Sequence, residues 1–269
     1  MSKTPIGLYW WGHHEDKPNF GDLLSPLIVQ AMSGRDVAWR QIADADMIST
    51  GSLLQRIPGK LKNPRTEPLH VWGTGLMFPT RLSSAFDLEV HAVRGPLTYA
   101  AFEADVVHGK GLTQGDPGLL VHRLLDGAPV PKQHRLGVVP HHSQLRMAEF
   151  GAIIEQNDGA AMIDLRNPDA LAVLRAIAAC ETIVSSSLHG LIVADALGIP
   201  NLWVEPRGLH RGGRFKFFDY FLSVRRAEFE PVRMDGRTVE AVLAGKSFDY
   251  FRSVRERRDA LEESFPDLG

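Results

Sequence analysis

The sequence predicts an α/β protein built of two doubly wound, Rossmann-like domains facing across a cleft. Three observations carry this. Short apolar runs repeatedly end in glycine or serine and pass into helical spacing, the pattern of βα units. A Gly- and Pro-containing polar stretch, 126–134, interrupts the pattern, which then starts again. The clearest unit is 182–200, where Thr182-Ile183-Val184 meets Ser185-Ser186-Ser187-Leu188-His189-Gly190 and an apolar segment closed by Gly198 and Pro200. It reads as strand, tight turn and helix, with Ser186 or Ser187 near the N-cap and His189 in the first helical turn. Ligands of open α/β sheets bind at that end of the strands, where unpaired helix N–H groups attract anions.

The first half begins with a buried strand over 6–11 and a polar loop holding His13, His14, Glu15 and Asp16. Asn19-Phe20-Gly21-Asp22 then leads into helical spacing over 23–32, stopped by Ser33-Gly34. The loop lacks the Gly-Lys-Ser/Thr of a phosphate loop and the G-x-G-x-x-G of a dinucleotide site. Strands follow over 37–42, 47–50 and 70–72, the last two running into Gly51-Ser52 and Gly73-Thr74-Gly75; a Pro/Lys-rich loop covers 58–68. The strand Leu88–Val93 meets Arg94-Gly95-Pro96, with Pro96 suited to a first helical turn. A strand over 105–107 precedes the turn Gly115-Asp116-Pro117-Gly118.

In the second half a strand over 136–139 ends in Pro140-His141-His142-Ser143, and a helix is expected over 144–150. A strand over 160–165 follows, then Asn167-Pro168 caps a helix reaching Ala179. After the serine–histidine unit come a strand over 201–205, a basic glycine-rich loop with Arg207, His210, Arg211 and Arg214, and helices over 215–224 and 248–264. The expected domains are 1–128, on the acceptor side, and 135–245, on the donor side, with 246–269 a helix packing back on the first.

Composition narrows the function. With 44% hydrophobic and 23% charged residues the chain is of globular type, and a net charge of −2 gives no reason to expect nucleic acid. Cys180 is single and is read as a buried residue in a helical, apolar context rather than a nucleophile. No Cys/His spacing suggests zinc, so no metal is expected. No signal peptide and no membrane span are evident, which makes the cytoplasm the expected location.

Two constellations suggest chemistry. His141, His142 and His189, with Ser185, Ser186 and Ser187, fall at strand ends, where histidine serves as an acid/base group or merely as a hydrogen-bonded turn residue. The serines do not form the G-x-S-x-G elbow of a hydrolase. Arg94, Arg207, Arg211 and Arg214 suit carboxylate or phosphate, or surface solvation. Asp22 and Asp116 suit substrate contact or local capping. Together they describe an anion-binding cleft with a histidine, and they name no reaction.

Six segments in order resemble the polysaccharide pyruvyl transferase family. They are Asn19-Phe20-Gly21-Asp22, Val93 to Thr98, Gly115-Asp116-Pro117, Val138 to His142, Ser185 to Ala196, and Phe215 to Tyr220. Their flavour is that of exopolysaccharide ketal-forming members of the succinoglycan type. The resemblance implies a GT-B-like fold and phosphoenolpyruvate as donor, with no further cofactor. It also implies a glycan acceptor, often lipid-linked in the family, and work at the inner face of a membrane. Trp10 and Trp11 are read as core residues before membrane contacts. In this reading His189 is the acid/base residue. Arg94, His141, Ser186, Ser187 and Lys216 contact the donor, and Asn19, Asp22, Asp116 and Arg211 are cleft or acceptor candidates. Several family members carry Arg-Leu-His where this chain has Ser187-Leu188-His189, so the anion-binding charge must come from Arg94, Arg207, Arg211, Arg214 or Lys216, or from helix N–H groups and serine hydroxyls. A nucleotide-sugar glycosyltransferase using Glu205 for the ribose, and a non-catalytic glycan-binding homologue, are the competing readings.

Overall fold

The computed structural model describes residues 4–12, 18–59, 65, 67–82, 86–102, 111–125, 127, 129–205, 213–234 and 237–269. The loop residues His13 to Asp16, the expected strand over 105–107, and Arg207, His210 and Arg211 lie outside them.

The first half runs β1 (Ile6–Tyr9), α1 (Phe20–Ser33), β2 (Val37–Trp39), β3 (Met47–Ile48), β4 (Leu69–Trp72), β5 (Leu88–Val93), α2 (Pro96–Tyr99) and β6 (Thr113–Gln114), then a 3-10 helix over Pro117–Leu124. Gly34 closes α1 in the left-handed region, φ 64°, and Pro96 opens α2, as their residue types dictate. The second half runs β7 (His134–Val139), α3 (Ala148–Glu155), β8 (Ala160–Met162), α4 (Ala170–Ala178), β9 (Cys180–Ser185), α5 (Leu188–Ala196), β10 (Asn201–Trp203), α6 (Phe215–Ser223), α7 (Val239–Leu243) and α8 (Phe251–Glu263).

Among the described residues the strands form two parallel sheets, ordered β2-β1-β3-β4-β5-β6 and β10-β9-β7-β8. Each reverses its winding once, between β1 and β3 and between β7 and β9. At such switch points adjacent loops leave the sheet in opposite directions and open a crevice at the carboxyl ends of the strands.

One apolar core runs through both halves. Ile6, Leu8 and Phe20 belong to the same buried cluster as Ile183, Leu191 and Ile192, and the Phe20 N–H donates to the Leu165 carbonyl at 3.0 Å. Helix α8 returns to the first sheet: the Trp72 indole donates to the Leu261 carbonyl at 3.2 Å, and its ring meets Phe265 edge-on.

Some expectations shift. Cys180 opens β9 rather than sitting in a helix, because α4 stops at Ala178 and the chain then pairs with β7 at His134. The helix expected over 144–150 lies at Ala148–Glu155, since Gln144 is used in a turn back to the His141 carbonyl. Helix α4 is capped by Asp169, which accepts the Ala172 N–H, while Asn167 holds the Asp169 N–H. Helix α7 was not expected; it starts at a Thr238 side-chain cap.

Candidate active site

Both switch points empty into one cleft of 280 Å³. Trp11 and Asn19 come from the β1–α1 connection and Asp22 from the first turn of α1, and Gly51, Ser52 and Arg56 from the segment after β3. His141 and His142 follow β7, Ser187 and His189 follow β9, and Lys216 stands in the first turn of α6.

On the first wall, the Asn19 amide donates to the Asp22 carboxylate. Gly51, at φ 113°, leaves room for that carboxylate: a Cβ there would lie 2.8 Å from Asp22 Oδ1. Gly21 gives the second close approach. Its Cβ would fall 1.9 Å from His189 Nδ1, so the backbone of α1 and the imidazole of α5 pack face to face only because this residue is glycine.

The three serines divide the work of building the second wall. The Ser185 hydroxyl donates to the Val139 carbonyl at 2.8 Å and accepts the Ser187 N–H at 3.0 Å. Ser186 accepts the His141 N–H at 2.9 Å and donates to Gln144 at 2.8 Å. These bonds tie the β9 turn to the β7 turn, and of the three only Ser187 lines the cleft. Ser187 is the N-cap of α5 without a side-chain cap bond. His189, in the first turn of α5, points its buried Nε2 toward Asp116 Oδ2, 3.8 Å away. Asp116 caps the 3-10 helix by accepting the Gly118 N–H at 2.8 Å and leaves that second oxygen unpaired among the described residues.

The cleft thus gathers Asn19, Asp22, His141, Ser187, His189 and Lys216 of the expected residues, with Asp116 just behind His189. Ser186 and Arg94 do not line it. Arg94 is 1% exposed and engaged internally: its Nε donates to Asp219 at 3.0 Å, Nη1 to the Ser52 hydroxyl at 2.8 Å and Nη2 to the Leu76 carbonyl. Asp219 also accepts the Thr98 N–H and hydroxyl, so the pair locks α6 onto the start of α2. Arg214 is bound by Glu205 at 2.8 Å and Glu230 at 2.7 Å beside a separate hollow under β10. Arg56 was missed, because it lies beside a stretch that reads as loop; its guanidinium stacks on Trp11 at 3.9 Å and lines the cleft.

Burial dominates the electrostatics. It pushes the Asp22 carboxyl up to about 7, against the Asn19 hydrogen bond and the Lys216 and Arg56 charges. It pushes Asp116 up to about 6, against Arg94 and the Gly118 N–H. His189 falls to about 3 through burial, with Lys216 and Arg94 adding. Lys216 falls to about 7 through burial and the Arg94 charge, opposed by Asp22. Among the described residues the Lys216 ammonium has no hydrogen bond or ion pair; its one close partner is the Phe217 ring, 5.5 Å away. The cleft therefore holds a carboxyl that keeps its proton near neutrality, a neutral imidazole and a lysine without an ion pair or hydrogen bond among the described residues. Such a set can give and take protons and can accept an anion.

The model of the family described as polysaccharide pyruvyl transferase matches residues 7–207, which span both walls of the cleft up to the start of the glycine-rich loop. The chain belongs to the polysaccharide pyruvyl transferase family. Succinoglycan biosynthesis protein ExoV of Rhizobium meliloti (strain 1021) is 28% identical over 244 residues, 89% of this chain and 71% of that protein. Uncharacterized protein L143 of Acanthamoeba polyphaga mimivirus is 32% identical over 198 residues, 73% of this chain and 68% of that protein. The family and the succinoglycan biosynthesis relative support pyruvyl transfer to a polysaccharide. At Ser187 the wall offers a hydroxyl and helix N–H groups, and the cations among the described residues that line the cleft are Lys216 and Arg56. No helix among the described residues is long and apolar enough to cross a membrane.

Proposed function

We propose that the protein transfers the pyruvyl group of phosphoenolpyruvate to two hydroxyls of one glycan sugar, forming a cyclic ketal and releasing phosphate. The observation that carries this reading is the junction of Asp22, His189 and Lys216 in one cleft, with the proton states burial gives them. Lys216, His141 and the first N–H groups of α5 hold the donor's carboxylate and phosphate, so Lys216 supplies the charge absent at Ser187. The Asp22 proton goes to the methylene carbon of the enol. As the adjacent carbon becomes electrophilic, a sugar hydroxyl bonds to it and gives its proton to neutral His189. The bond from that carbon to the phosphate oxygen breaks, and the proton on His189 leaves with the phosphate. The second hydroxyl closes the ring and returns its proton to Asp22. Asp116 stands behind the imidazole, where it favours the tautomer with Nε2 protonated and stabilises the charge formed at His189. Stacking of Arg56 on Trp11 leaves an aromatic and cationic face toward the acceptor.

Glu205 weighs against the nucleotide-sugar reading: it is held by Arg214 and lies outside the cleft lining. The test is mass spectrometry of a glycan-acceptor panel incubated with phosphoenolpyruvate, with phosphate release followed in parallel. A pyruvyl mass gain that requires acceptor is expected, and His189→Ala lowers the rate by about 10²- to 10⁴-fold. Tight calorimetric binding of nucleotide sugars, with none of phosphoenolpyruvate, would reject the reading.

A further inference from the structure

Away from the cleft, the first sheet brings together His70 on β4 with Glu89 and His91 on β5. The ladder pairs His70 with Glu89 and then jumps from Val71↔Val90 to Trp72↔Ala92, so His91 is the extra residue of a bulge. Bulges re-aim side chains, and here His91 is set beside the ring of His70, the two stacked with centroids 5.2 Å apart. His70 Nδ1 and His91 Nε2 are 2.9 Å apart. Glu89 splits its oxygens between them, Oε2 lying 3.6 Å from His70 and Oε1 3.7 Å from His91. Both carboxylate distances are longer than a hydrogen bond, so the group faces the two rings at ion-pair range.

We propose that His70, Glu89 and His91 form a zinc site, with one nitrogen from each histidine, one carboxylate oxygen and a water as the fourth ligand. Tetrahedral zinc at about 2.0–2.1 Å from its ligands sets them about 3.3 Å apart, and the three separations here fall on either side of that value. Two imidazoles and a carboxylate are a donor set that suits zinc over magnesium or calcium. The histidines are partly buried and Glu89 is half exposed, so the protein provides a fixed pair of nitrogens and an open side for water. The ion would staple the β4–β5 bulge. Beyond it those strands run on to Gly73-Thr74-Gly75 and Arg94, the parts that buttress the cleft from behind. Spacing along the chain hid the site. Only Glu89-x-His91 is local, and His70 joins it through strand pairing.

Calorimetry of the full chain, stripped with chelator and titrated with zinc chloride alone, tests this. One saturable site per chain is expected, with a thermal midpoint that rises with zinc. His70→Ala and His91→Gln should each weaken binding by about a hundredfold or more, because even ligands' outer partners are worth 10- to 100-fold. Circular dichroism in chelator checks that each variant is folded, and Glu89→Gln, with its side chain half exposed, serves if a histidine variant is not. Absence of saturable binding, or binding undiminished by these substitutions, would overturn the proposal and leave a hydrogen-bonded histidine pair.

Discussion

Lys216→Met separates the proposed role of this lysine from a structural one. Lys216 is nearly buried, its ammonium lacks a partner among the described residues, and burial lowers its pKa from 10.5 to about 7. The unfolded chain therefore holds a proton on this lysine that the folded protein gives up between pH 7 and 10.5. That difference amounts to about 4 kcal/mol of folded stability forgone at pH 7, a large share of a typical total. The folded pKa is depressed for a base, so the penalty is full below pH 7 and disappears as pH rises toward 10.5. Methionine has a similar length and no charge to desolvate, so Lys216→Met should raise the thermal midpoint at pH 7 by roughly 10 °C. The gap to wild type should close as pH approaches 10. Donor binding should move the other way. A charge-assisted hydrogen bond is worth about 1.5–3 kcal/mol, so the variant's affinity for phosphoenolpyruvate should fall about 10- to 150-fold. Scanning calorimetry across pH and titration calorimetry with phosphoenolpyruvate measure both. A variant that is less stable than wild type yet binds phosphoenolpyruvate equally well would refute the reasoning on both counts.

Three other substitutions probe the walls. Gly21→Ala places a Cβ 1.9 Å from His189 Nδ1, so the ring must shift by more than an ångström; turnover should fall about 100-fold and the thermal midpoint should fall as well, since overpacking against the ring costs about 1–3 kcal/mol and outweighs the roughly 1 kcal/mol that alanine gains over glycine in a helix. Asp22→Asn removes a carboxyl raised from 3.8 to about 7: the folded state keeps a proton the unfolded chain releases, so wild type loses stability as pH rises through this window, and the variant's thermal midpoint should exceed wild type's at pH 8 but match it near pH 4. Asp219→Ala strands the buried Arg94 guanidinium and the Thr98 N–H, so denaturant unfolding should show a loss of about 3–5 kcal/mol.

What the sequence reveals and what it hides follow from the range of the interactions. Strand β5, the Pro96 start of α2 and the Gly34 stop of α1 are local, written in residue type and periodicity. The order of strands is not. That β1 pairs with both β2 and β3, and β7 with both β8 and β9, depends on pairings between distant segments, and those pairings place Asn19 opposite His141. Arg94 shows the same limit. An arginine at a strand end reads alike whether it faces a ligand or an aspartate 125 positions away, and here it faces Asp219. Arg56 escapes notice for the opposite reason: nothing in its own surroundings marks it until β3 delivers it to Trp11. Ser185 and Ser186 look like anion ligands by type, yet the turn consumes their hydroxyls to hold itself together.

Asp22 and Lys216 face one difficulty with opposite signs. Burial penalises the charge on each, and it draws the acid up and the base down until both reach about 7. At that value neither protonation state is strongly held near neutral pH. An arriving donor anion changes this in one direction for both groups, because nearby negative charge raises every pKa around it. Lys216 then takes up a proton and becomes the cation that holds the anion. Asp22 takes up a proton in the same way and becomes the acid that the enol carbon requires. Donor binding in the proposed reaction thus prepares its own catalyst, and it must draw protons from solution. Titration calorimetry of phosphoenolpyruvate at pH 7.5 in buffers of different ionisation enthalpy should therefore show net proton uptake from both groups, about half of it lost in Lys216→Met. Binding without uptake would mean that the two groups do not respond to the donor, and the coupling of binding to protonation would fail with it.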